Sequence, residues 1–71
     1  MYGEKIRELR TDHDETQEQL GLLIGVSRKQ IARYEKEEQE LTVNKLIKLC
    51  LHYKVSADYI LGLPKGLHWP R

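Results

Sequence analysis

The stretch Thr16-Gln17-Glu18-Gln19-Leu20-Gly21-Leu22-Leu23-Ile24-Gly25-Val26-Ser27-Arg28-Lys29-Gln30-Ile31-Ala32-Arg33-Tyr34-Glu35 decides the fold. Thr16 is an N-cap: its hydroxyl accepts from the free N–H groups of a first helical turn, and Gln19 three residues on completes a capping box. From Gln17 to Ile24, the residues Leu20, Leu23 and Ile24 recur at helical spacing and are expected on one inward stripe. Gly25 ends that pattern where φ must turn positive. Ser27 caps the next helix, from Arg28 to about Lys36. It turns Ile31, Tyr34 and Glu35 to one side and Lys29, Ala32, Arg33 and Lys36 to the other. Gly21 stands where two steeply crossing helices approach closely, leaving no room for more than a methyl group.

Working outward, the same signals recur. Tyr2 to Asp12 reads as a helix with Ile6, Leu9 and Arg10 on one face, and the run Thr11-Asp12-His13-Asp14-Glu15 breaks its apolar period. Thr42 caps a fourth helix whose Val43, Leu46, Ile47, Leu49, Cys50 and Tyr53 are expected to be mainly core. Ser56 caps a short fifth helix carrying Tyr59, Ile60 and Leu61, and Gly62 closes it. Pro64 stops any continuation. No period-two alternation or hairpin turn signals a strand. The expectation is an all-α, compact five-helix domain over residues 1–63, with a short irregular C-terminal tail over 64–71.

Length and composition narrow the function classes. A chain of 71 residues holds one small domain, so a second domain or a large catalytic cleft is excluded. Lys and Arg number 12 against 11 Asp and Glu, which argues against a simple polycation coating nucleic acid or membrane. Cys50 is the single cysteine, so no internal disulfide forms. The start Met1-Tyr2-Gly3-Glu4-Lys5 leads into no apolar signal region, and no apolar run approaches a membrane span. A cytoplasmic location and no membrane partner are therefore expected.

The near-neutral total conceals local sorting. Residues 27–36 carry Arg28, Lys29, Arg33 and Lys36 against Glu35 alone. Asp12, Asp14, Glu15 and Glu18 precede this basic helix, and Glu37, Glu38 and Glu40 follow it. A basic run alone is often only a solvated face. Here it follows a helix and a glycine turn, the order in which a second helix enters the DNA major groove.

At this point the sequence resembles the phage repressor and Cro type, or XRE family, of helix-turn-helix regulators. The resemblance is carried by Ile6-Arg7-Glu8-Leu9-Arg10, Thr16-Gln17-Glu18-Gln19-Leu20, Gly25-Val26-Ser27-Arg28-Lys29-Gln30-Ile31, Tyr34-Glu35, and Val55-Ser56-Ala57-Asp58-Tyr59-Ile60-Leu61-Gly62. It covers about residues 3–62 without an obvious gap. It implies a lambda-repressor-like five-helix domain whose second and third helices form the helix-turn-helix. It further implies binding to double-stranded operator DNA, as a homodimer at least when DNA-bound.

By that pattern Arg28, Lys29 and Arg33 would face base edges, where Arg and Lys suit guanine acceptors. Gln17 and Ser27 would approach phosphates. The helix starts at Thr16 and Ser27 supply N–H groups suited to an anion, and Gln30, Lys36 and Arg7 are weaker backbone contacts. Arg10 and Glu35 match a family ion pair, which reads as structural because both fall on core-facing sides. Two departures stand out. Glu37, Glu38 and Glu40 occupy a loop where relatives often place basic residues or glycine, and Lys54 stands where relatives often carry glycine.

Other chemistry finds little support. His13, His52 and His68 share no ligand spacing with one another or with Cys50, so no metal or other cofactor is expected. Ser27 and Ser56 read as caps rather than nucleophiles, the acidic clusters as solvated turns, and no catalytic residue is assigned. The rival to a DNA-binding repressor is a protein-interaction module on the same fold, an antitoxin or anti-regulator gripping a protein partner through the acidic loop or the Leu67-His68-Trp69 tail. Trp69 is read as part of a frayed tail.

Overall fold

Four of the five helices start on a hydroxyl side chain, and each cap closes the same way. Thr16, Ser27, Thr42 and Ser56 hold extended backbone, and each side-chain oxygen accepts the N–H three residues on. The computed structural model describes residues 2–63. Five helices follow in order: α1 (Tyr2–Asp12), α2 (Gln17–Ile24), α3 (Arg28–Glu35), α4 (Val43–Tyr53) and α5 (Ala57–Leu61). No strand occurs among the described residues. The tail over 64–71, with Leu67, His68 and Trp69, lies outside them.

Helix ends follow equally local chemistry. Gly25 and Gly62 close α2 and α5 in the left-handed region, at φ 79° and 71°. Lys54 closes α4 in the same region at φ 57°, which a lysine tolerates at a modest cost. Lys36 ends α3 without leaving the right-handed region.

The core forms where the apolar faces meet. Ile6 and Leu9 of α1, Leu20 and Ile24 of α2, Ile31 and Tyr34 of α3, Leu49 and Tyr53 of α4, and Ile60 of α5 are all buried. Helix α1 packs on α3 and α5, α2 packs on α3 and α4, and α4 packs on α5. Gly21 permits the α2–α3 crossing, and the fit is tighter than expected: even a methyl group is excluded, since a Cβ there would lie 2.5 Å from the Val26 carbonyl oxygen. Gly3 plays the same part in α1, where a Cβ would collide with the Glu35 carbonyl. The sequence pattern carries no sign of that second contact.

Three apolar residues depart from expectation. Leu23 is 56% exposed, outside the core. Successive residues are about 100° apart around a helix, so the approach of α3 at Gly21 centres the buried sector of α2 between Leu20, Ile24 and Gly21, leaving Leu23 beyond its edge. Val43 and Ile47 are 72% and 52% exposed. Helix α4 buries the sector holding Leu46, Leu49 and Tyr53, and Val43 and Ile47 lie outside it. No helix among the described residues is long and apolar enough to cross a membrane.

Candidate nucleic-acid interface

The starts of α2 and α3 lie on the same side of the molecule. A shallow concavity between them is lined by Thr16, Gln17 and Arg28 together with Arg10 and the acidic Asp14, Glu15 and Glu18, and a second by Glu18, Leu22, Val26, Ser27 and Arg28. At α2 the Thr16 Oγ1 accepts from the Gln19 N–H at 3.0 Å, and the Gln19 Oε1 accepts from the Thr16 N–H at 2.8 Å. At α3 the Ser27 Oγ accepts from the Gln30 N–H at 3.2 Å. These caps leave the Gln17, Glu18, Arg28 and Lys29 N–H groups without intrahelical partners. Both helix starts thus present N–H groups and partial positive charge to whatever fills the concavity.

Lys29, Arg33 and Lys36 share the outer face of α3, and Arg28 lies nearer the Ile31 side by helical angle but reaches solvent from the helix start. Arg28, Lys29, Arg33 and Lys36 are exposed. None of them takes part in an ion pair among the described residues. The opposite face is buried through Ile31 and Tyr34, which fixes the helix while its cationic side stays free.

Glu35 is held inward. Arg10 Nε donates to Glu35 Oε2 at 2.6 Å, and Arg10 Nη2 donates to Oε1 at 3.3 Å. Both side chains are largely buried, at 14% and 7% exposed. The hydrogen bond to Glu35 raises the Arg10 pKa against the opposing effect of burial. Gln17 Nε2 also donates to Glu35 Oε1, at 3.1 Å. The Gln17 side chain, expected to approach phosphate, is therefore turned toward the ion pair, and its backbone N–H is the outward donor. Gln30 is engaged similarly, its Nε2 donating to the Tyr34 hydroxyl at 2.9 Å. Arg7 and Lys36 meet Gln17 along a groove between α1 and α3.

The acidic segment after α3 is wound back toward α1. Glu37 has φ 58°, and the Tyr2 hydroxyl donates to the Gln39 carbonyl at 2.9 Å. Burial, with Glu37 and Glu40 nearby, raises the Tyr2 phenol pKa. Glu37, Glu38 and Glu40 are exposed.

Two contacts escaped the sequence reading. Glu15, grouped with solvated acids, is only 13% exposed and joins the end of α4: Tyr53 and His52 both donate to its carboxylate. The Lys45 ammonium donates to the Ile24 carbonyl at 3.2 Å, placing a cation at the end of α2. Neither pairing has a local signal, because the partners stand 21 to 38 residues apart.

The profile of the helix-turn-helix family matches residues 6–60. The chain belongs to the helix-turn-helix family, of the phage repressor and Cro type. The uncharacterized HTH-type transcriptional regulator YobD of Bacillus subtilis (strain 168) is 43% identical over 63 residues, covering 89% of this chain and 56% of the relative. The antitoxin PezA of Streptococcus pneumoniae serotype 4 is 32% identical over 68 residues, covering 96% of this chain and 43% of the relative. The chain thus spans about half the length of these curated relatives. Among solved structures, the P22 c2 repressor in complex with a synthetic operator superposes with a TM-score of 0.79 at 33% identity, over 84% of this chain and 91% of that one. The restriction-modification controller protein C.AhdI of Aeromonas hydrophila gives 0.75 at 25% identity, over 83% and 89%. The helix-turn-helix of this family is therefore α2 and α3 here.

Proposed function

We propose that this chain is a sequence-specific DNA-binding transcriptional regulator, acting as a cytoplasmic repressor, whose helix-turn-helix domain spans residues 1–63 ahead of a short tail. It reads the major groove of a two-fold operator with α3, as a homodimer at least on DNA. The observation that carries the reading is that Arg28, Lys29 and Arg33 on the second helix of the motif are exposed and take part in no ion pair among the described residues, with Arg28 lining a concavity beside the start of α2. Arg28, Lys29 and Arg33 meet base edges and favour guanine in each half-site. Thr16, Gln17, Ser27, Gln30 and Lys36 line the phosphate path, Gln17 through its backbone N–H. Arg10 and Glu35 hold α1 to α3. The family is one of DNA-binding regulators, which supports a binding role for this chain, with Ser27 and Ser56 serving as helix caps.

The P22 c2 repressor supports this reading, since it shares the fold over most of both chains and is seen in complex with an operator. The antitoxin relative favours a second reading, a module gripping a protein through the acidic loop or the tail. Selection of bound duplexes from a random pool tests the first. Recovery of a guanine-containing, two-fold sequence whose binding weakens with salt supports it. No enrichment at low salt, with capture of a purified protein partner instead, overturns it in favour of the second.

A further inference from the structure

The connection from α1 to α2 holds a carboxylate that the DNA reading leaves unused. Glu15 Oε1 accepts from the Tyr53 hydroxyl at 2.5 Å, and Oε2 accepts from His52 Nε2 at 2.6 Å. A carboxylate oxygen accepts, so this contact takes the His52 tautomer with hydrogen on Nε2. The Glu15 backbone is held as well: its carbonyl accepts from Arg10 Nη1 at 2.8 Å, and its N–H donates to the Arg10 carbonyl at 2.9 Å. The next residue is Thr16, the cap of α2. The residue before it, Asp14, turns the chain at φ 53°.

Stability alone does not call for a carboxylate here. Desolvating one is costly unless both oxygens are satisfied, and a well-packed apolar side chain in such a place is often as stabilising or more so. A leucine would fill the same gap, but it could also slide against Tyr53 and His52. A carboxylate held by two donors on α4 and two backbone bonds to Arg10 has one distance and one rotation. That geometry passes directly to Thr16 and to the Gln17 and Glu18 N–H groups beside it.

We propose that Glu15 is a positioning residue for DNA binding, a strut that fixes the start of α2 against the end of α4 and so holds its free N–H groups where they meet a phosphate backbone. The proposal rests on the DNA-binding reading above. The cluster acts through placement and touches no DNA itself.

The full chain carrying E15L, H52L and Y53F together replaces the polar cluster by apolar side chains, and Y53F alone removes one donor. For the triple variant we expect a melting temperature equal to or above that of the parent, with faster amide exchange confined to the hydrogen-bonded N–H groups of Thr16 and Gln19. Affinity for the selected duplex falls about fivefold, the scale of one misaligned helix terminus. The slope of log affinity against log salt becomes shallower by about one. Preference among base sequences is unchanged, and Y53F shows a smaller loss of the same kind. Parent-like affinity and salt slope in the triple variant overturn the proposal and leave the DNA reading standing. So does a loss of affinity no larger than the loss of folded protein in both variants. A parent chain that binds no duplex at any salt overturns the DNA reading, and this proposal with it.

Discussion

Helix α3 carries two charged residues two positions apart with opposite fates. Arg33 stands in solvent, while Glu35 is almost fully buried and held by Arg10 and Gln17. The same contrast divides the molecule. Arg10, Glu35, Glu15 and His52 lie against the core and answer one another, whereas Arg28, Lys29 and Arg33 sit outside with no partner among the described residues. A charge paired across elements fixes geometry, and losing one member strands the other in a poorly solvated place. An exposed cation contributes little to folding and is free to bind an anion or a base edge. This difference, more than net charge, separates scaffold from proposed reading surface.

The sharpest break is Arg10→Met. It leaves the Glu35 carboxylate without its main partner, so unfolding free energy should fall by about 3 kcal/mol, read by urea denaturation. Base preference of the protein that remains folded should not change. An unaltered denaturation midpoint would show that the pair is not structural.

Gly21→Val probes the helix crossing that holds the exposed face outward. A side chain facing the Val26 carbonyl must force α2 and α3 apart, at an expected cost of about 2 kcal/mol in the same assay. Arg33→Ala tests the other side of the comparison. Its melting temperature should stay within a degree or two of the parent, while discrimination for the selected duplex over a variant half-site drops by about 1–3 kcal/mol in competition binding. Equal loss on every sequence would make Arg33 a phosphate contact.

Alkaline pH tests the buried half through Tyr53. Burial, reinforced by the hydrogen bond to Glu15, raises the Tyr53 phenol pKa well above its usual 10.0. The folded state then keeps a proton that the unfolded chain releases. The stability contributed is whole below about pH 10 and is lost as pH rises beyond it. Unfolding followed between pH 9 and 11.5 should show this decline, and Tyr53→Phe should make it shallower, leaving the part due to Tyr2. The smallest effect belongs to Leu23→Gln, within about 0.5 kcal/mol of the parent because the side chain is mostly exposed. A loss of several times that would return Leu23 to the core.

Helix starts, helix stops and the five helices, which neighbours three or four residues away govern, were legible in the amino-acid order, whereas the i,i+4 bond from Gln30 to Tyr34 was not. The hydroxyl caps at Thr16, Ser27, Thr42 and Ser56, the glycine turns at 25 and 62, and the five helices follow from local hydrogen bonding and period alone. So did the inward face shared by Arg10 and Glu35. Tertiary structure decided how each helix is rolled about its axis and what its polar side chains meet. Leu23, Val43 and Ile47 face outward because α2 and α4 bury narrower sectors than their apolar content suggests. Gln17 turns to Glu35, and Glu15 to Tyr53 and His52, across separations of 18 to 38 residues. Periodicity states which residues share a helix face, but the direction that face takes depends on where the other helices close in.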